Sequence, residues 1–184
     1  GTLGIGSTSG ITTSGSSGNI QVGGSRSYST GASYVYNGTN SQNTGNGLPS
    51  TVSSLTFNNT GGAVYFGSAC NITKNFSITP GSMANLYTYT HTAGTLTLGG
   101  NGTMNGTHGS SSSPATYKNN TYFAATGGIV SVTTSTYPPL SFTYSANNIT
   151  CSGANDGQIT ISATGGSGSG YQYRIYNGTG WIGW

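Results

Sequence analysis

Of 184 residues only one is acidic and four are Lys or Arg, whereas ordinary soluble domains are about one-quarter charged. With Asp156 as the sole carboxylate, chemistry that needs a carboxylate pair within the chain is excluded. Glycosidases of the usual kind set two carboxyl groups about the scissile bond, and calcium cages gather several. The cations Arg26, Lys74, Lys118 and Arg174 are scattered, so the net charge of +3 makes no basic patch. Nucleic-acid binding draws on clustered cations that displace counterions, and no such partner is expected. No apolar run approaches the roughly 18 residues of a membrane helix. Helix signals are missing as well: Ala, Leu and Lys are scarce, and no window of a dozen residues holds a 3.6-residue period.

Other reactive groups are equally sparse. The histidines His91 and His108 are far apart, too little for a metal site. His91, in Thr90-His91-Thr92, reads as a surface residue of a strand or turn. His108, in Gly106-Thr107-His108-Gly109, reads as solvent exposed. Gly166-Ser167-Gly168-Ser169-Gly170 has the letters of a nucleophile elbow but lies in a low-complexity loop with no helix to follow. The glycine-rich stretches lack the lysine and helix of a phosphate loop. Cys70 and Cys151 read as two small buried thiols, with one disulfide as the alternative in an oxidising compartment. No cofactor and no enzymatic activity are expected.

What the chain does have is 33 Gly, 13 Tyr, 5 Phe and 2 Trp, together with abundant Ser, Thr and Asn. Disorder goes with high charge and few aromatics, so this composition indicates a folded β protein with a neutral polar surface. Strand-like runs recur at 18–22, 33–36, 52–57, 63–66, 75–79, 85–90, 94–98, 121–123, 128–133, 140–144 and 158–163, punctuated by Gly, Asn, Pro or Ser. Four triplets share a pattern: Leu55-Thr56-Phe57, Val64-Tyr65-Phe66, Phe76-Ser77-Ile78 and Leu96-Thr97-Leu98. Their outer residues are apolar and face inward; the central ones face out. Each unit is too short to bury a core alone, so the pattern predicts stacked coils sharing one, with Thr56, Ser77 and Thr97 in outward rows.

The texture changes at Tyr137-Pro138-Pro139, where prolines stop a ladder and stiffen the connection. The reading is an all-β chain: a short-strand parallel β-solenoid over 1–136, a Pro linker at 137–139, and the truncated start of an Ig-like antiparallel β-sandwich over 140–184. Within the latter, Asn155-Asp156-Gly157 is a tight-turn signal, since these residues tolerate positive φ. Gln158–Ala163 and Tyr171–Tyr176 alternate as sandwich strands do.

Val35-Tyr36-Asn37-Gly38-Thr39, Thr44-Gly45-Asn46-Gly47-Leu48-Pro49 and Gly94-Thr95-Leu96-Thr97-Leu98-Gly99-Gly100 resemble the repetitive surface proteins of Bacteroidetes. The stretch from Ile149 to Ile161, followed by Ala163-Thr164-Gly165-Gly166 and Tyr171-Gln172-Tyr173, resembles the SprB-type repeat of gliding-motility adhesins. The resemblance implies a very large protein exported by the type IX secretion system and serving attachment, gliding or cell–cell contact.

Together these features predict an extracellular structural and adhesive segment of a bacterial surface protein or filament. The chain opens at Gly1 with strand-like sequence, as an internal or processed piece would. Its expected partners are further repeats of the same chain or identical subunits, and surface glycans. Tyr34, Tyr36, Tyr87, Tyr89 and Tyr122 are candidates for stacking on sugar rings, with packing between strands as the plainer role. Ice binding, from Thr-rich rows such as Thr88-Tyr89-Thr90, is the remaining alternative.

Overall fold

A computed structural model describes residues 1–137, 140–154, 156–166, 171–176 and 178–183. Pro138, Pro139, Asn155, 167–170, Asn177 and Trp184 lie outside the described residues, and with them most of the linker, part of the Asn-Asp-Gly turn and the Gly/Ser loop. The chain is all-β and divides into two compact units, Gly1–Thr136 and Tyr137–Trp184.

The first unit contains β1 (Thr2–Ile5), β2 (Ser33–Tyr36), β3 (Gln42–Asn43), β4 (Thr51–Val52), β5 (Ser54–Phe57), β6 (Ala63–Tyr65), β7 (Asn71–Ile78), β8 (Met83–Asn85), β9 (Thr90–Leu98), β10 (Asn101–Gly102), β11 (Gly106–Gly109), β12 (Tyr117–Lys118) and β13 (Ile129–Val132). A main sheet runs β1-β2-β5-β7-β9-β13-β11-β12, and β3-β6-β8 form a second, three-stranded sheet. From β2 to β9 the chain alternates between them, except that β4, which pairs with β7 in the main sheet, is followed directly by β5. Pairing is parallel throughout β1-β2-β5-β7-β9-β13 and β3-β6-β8. From β2 to β9 partners recur at 20–22 residues, as where the side chains of Thr92 and Asn71 bond across 21, whereas β1–β2 partners such as Thr2 and Ser33 lie 31 apart and β9–β13 partners such as Thr90 and Ile129 lie 39 apart.

This parallel register puts like residues in rows. Leu3, Tyr34, Leu55, Phe76 and Leu96 are successive partners, and so are Ile5, Tyr36, Phe57, Ile78 and Leu98. Leu3 is partly buried and the others are buried. A parallel row, Val52, Ile72, Ala93 and Val132, crosses β4, β7, β9 and β13. An irregularity between Ile72 and Asn75 lets β7 serve both rows. The outward Thr56, Ser77 and Thr97 are likewise register partners. All outer residues of the four triplets are buried, but Val64-Tyr65-Phe66 belongs to the second sheet and not to the main row. Phe66, just after β6, packs 5.2 Å from Phe57 and 5.9 Å from Phe76, so both sheets close on one core. Each such ring contributes about 1.5–3 kcal/mol by leaving water.

Corners between strands need glycine. Gly45 has φ 78°, and a Cβ there would lie 2.1 Å from the Ile11 carbonyl oxygen. At Gly61 a Cβ would lie 1.7 Å from the Thr39 carbonyl oxygen. A second corner device is polar and buried. Gln42 Nε2 donates to the Ile5 and Ser7 carbonyls, both at 2.9 Å, while its Oε1 accepts from Gly38 N–H and Asn59 Nδ2. Asn59 N–H in turn donates to Ser82 Oγ. Polar groups shut away from water need such partners.

Three expected runs differ. Residues 18–22 form no strand. Residues 85–90 are broken at Tyr87, whose φ of 50° no extended strand accommodates. Residues 121–123 supply only a bridge, Ala84 to Phe123.

The second unit contains β14 (Ser141–Asn147), β15 (Gln158–Thr164), β16 (Ile175–Tyr176) and β17 (Trp181–Ile182). β14 and β15 pair antiparallel from Ser141–Thr164 to Asn147–Gln158. The link between them therefore spans 148–157 and is not a two-residue turn. β16 pairs antiparallel with β17, and the Tyr176 and Trp181 rings lie 5.4 Å apart. Within the alternating stretch 171–176 only Ile175–Tyr176 is strand.

Candidate functional site

Strand alternation decides where the predicted tyrosines go. In β2, Tyr34 and Tyr36 take the inward positions beside Leu55 and Phe57 and are 1% and 0% exposed. They are core residues and cannot meet a sugar ring. Tyr34 donates its hydroxyl to the Ser29 carbonyl and Tyr36 to the Thr44 carbonyl, both at 2.7 Å. Burial raises the pKa of both hydroxyls. Tyr122 is partly buried against the core, its hydroxyl filling the space over Gly99 where a Cβ would sit.

Tyr89 is likewise partly buried against the core, and Tyr87 is the exception. Tyr87 is 44% exposed. Its ring lies 6.1 Å from Tyr65 and 6.1 Å from Tyr89, and Tyr89 donates its hydroxyl to the Gly67 carbonyl at 3.2 Å. Tyr65 was absent from the predicted set. It is the centre of the Val64-Tyr65-Phe66 triplet, and the same alternation that sends Thr56 outward could have found it.

The two histidines correct the surface reading. His91 is 0% exposed, at an inward position of β9 beside Val130. Its ring packs 3.9 Å from Phe66, and Nδ1 accepts the Cys70 N–H at 3.2 Å. Nε2 is buried without a hydrogen bond among the described residues. Burial lowers its pKa to about 4, against a smaller upward pull from the Leu86 carbonyl. His108 is 4% exposed, bonds Met104 O through Nε2 at 2.8 Å and stacks on Tyr117 at 4.8 Å. Burial lowers its pKa too, while the Met104 carbonyl opposes the shift.

Both cysteines are free thiols. Cys70 is buried, and burial pushes its pKa up to about 12, so it is not poised as a nucleophile. Cys151 is exposed, contrary to the buried reading, because its loop packs under no core. Asp156 is fully exposed and accepts Thr150 N–H at 3.1 Å and Thr150 Oγ1–H at 2.6 Å. Those bonds hold its carboxyl below the usual range. Gly157 closes the same loop near Ile149; Asn155 lies outside the described residues.

Amides and hydroxyls line the outward main sheet. Asn75 Oδ1 accepts from Thr95 and Thr97 at 2.9 and 3.2 Å, and Asn71 Oδ1 from Thr92 at 2.6 Å. In the second unit an open apolar groove of about 460 Å³ is lined by Leu140, Phe142, Ile161, Ala163, Tyr171 and Tyr173, among others. Among the described residues no three His, Cys, Asp or Glu gather as a metal site, and no helix is long and apolar enough to cross a membrane.

Residues 143–180 match the SprB repeat family. The match runs from the third residue of β14 to the residue before β17, and it points to a cell-surface, adhesin-like domain. No curated protein and no solved structure matches the chain.

Proposed function

We propose that this chain is an extracellular structural and adhesive segment of a larger bacterial surface protein, acting by display and attachment rather than catalysis. The SprB repeat at 143–180 carries the reading. The first unit supports it: parallel strands that recur every 21 residues or so from β2 to β9, around one shared core, suit a β-solenoid stalk. The second unit, with its antiparallel strands, suits an Ig-like sandwich module. Further repeats of the same chain, or identical subunits, are the partners this reading expects. Gliding and type IX export belong to the same proposal. Negative-stain electron microscopy of the parent protein tests it: a long thin rod or fibre is expected, and a compact globule contradicts it.

A further inference from the structure

On the three-stranded sheet, Asn43, Tyr65 and Asn85 are direct neighbours across β3, β6 and β8. The rings of Tyr87 and Tyr89 extend this surface, each pair 6.1 Å apart. Tyr87 is the conspicuous member. It is a bulky residue in the left-handed region, at φ 50°, where such residues are outliers. Its N–H donates to Asn85 Oδ1 at 3.0 Å, which ties the turn in place. The turn is also held by Tyr89 N–H on the carbonyl of the buried Leu86 at 3.0 Å and by Gly128 N–H on the Tyr87 carbonyl at 2.6 Å, and it leaves Tyr87 44% exposed. Backbone strain of this kind persists only where the surroundings enforce it, and it gathers at ligand clamps.

We propose that Tyr65, Tyr87 and Tyr89, flanked by Asn43 and Asn85, bind the pyranose rings of a neutral polysaccharide. This rests on the attachment reading and names what is attached to. Tyrosine offers a rigid apolar face with little rotamer freedom to lose, suited to the C–H face of a sugar. The amides of Asn43 and Asn85 both donate and accept, suited to its hydroxyl rim. Neither the Asn43 amide nor Asn85 Nδ2 makes a hydrogen bond among the described residues.

Charge selects the ligand class. The first unit contains no acidic residue. Its cations lie elsewhere: Arg26 donates to the Thr12, Gly15 and Val22 carbonyls, Lys118 to the Ser111 carbonyl, and Lys74 is on the main sheet. With nothing to pair an anionic sugar, the site fits an uncharged one.

Affinity electrophoresis of the whole chain tests this, through gels holding a β-1,3-glucan, a xyloglucan, a mannan or polygalacturonate. Retardation is expected in at least one neutral gel and not in polygalacturonate. Tyr87→Gly should weaken binding by about tenfold or more, the scale of losing one stacking ring, without lowering the melting midpoint. Tyr65→Thr should weaken it as well, while Tyr87→Phe and, in the second unit, Tyr144→Ala leave it unchanged. Absence of retardation in all the neutral gels, retardation by polygalacturonate alone, or undiminished binding by both Tyr87→Gly and Tyr65→Thr overturns the site. The gels report on the site alone; the shape of the parent protein reports on the attachment reading, so the two fail separately.

Discussion

Phe57 and Phe142 are both phenylalanines on β-strands, yet Phe57 is 0% exposed and Phe142 68%. The contrast runs through both units. In the first, every register partner of Phe57 in its row is buried, because parallel strands 21 or so residues apart bring like side chains together. In the second, Phe142, Tyr144, Ile159, Trp181 and Ile182 are all more than half exposed, although β14 and β15 are longer than most strands of the first unit. Strand length and pairing therefore do not make a core. A two-stranded hairpin buries little by itself; a second layer must cover one face.

The largest expected effect bears directly on that contrast. Phe57→Ala should cost about 3–5 kcal/mol in urea unfolding, whereas Phe142→Ala should stay within about 0.5 kcal/mol. Equal costs would erase the distinction between the units. Gly45→Ala should cost about 3 kcal/mol or more, since it adds left-handed strain to a backbone clash; an exposed glycine such as Gly153 of the second unit, with nothing near its Cβ position, should lose only the strain contribution.

Titration sharpens the comparison further. His91 has a lowered pKa, so between about pH 6.5 and 4 the unfolded chain binds the proton that the folded chain refuses. Stability of the first unit should be steady above pH 6.5 and fall by about 3 kcal/mol as the pH drops to 4. His108 adds to the fall with the same sign. His91→Phe should flatten most of it in pH-dependent melting; an unchanged slope would refute the assignment. The second unit holds no histidine and should show no such step. The smallest effect within the first unit belongs to the outward rows: Asn75→Ala removes the acceptor of two Thr hydroxyls and should cost about 1 kcal/mol in the same urea series.

How far the sequence carried differs between these regions for the same physical reason. The triplets around Thr56, Ser77 and Thr97 were legible because a two-residue period and a repeat act together: alternation fixes the face and recurrence fixes the partner. The rule applied to Ser33-Tyr34-Val35-Tyr36 would have buried Tyr34 and Tyr36. They were misplaced because tyrosine is amphipathic and composition alone does not choose its face. His91 was misread for a related reason. Thr90-His91-Thr92 looks polar throughout, yet position 91 alternates with Ala93 on the inward face of β9. The Gln42-Asn59-Ser82 corner left no sequence signal, since its members are scattered amides and a hydroxyl that only the fold brings together. Asn155-Asp156-Gly157 has turn chemistry, but the register of β14 with β15 is set by strand alternation, and the turn residues fall inside a longer loop.

An adhesive segment of a surface protein must stand outside the cell with its first unit on display. Antibody raised against residues 1–136 and applied to intact, unpermeabilised cells of the source organism measures this directly. Labelling of intact cells at the level seen after permeabilisation is the predicted result, and labelling that appears only after the envelope is opened would contradict it.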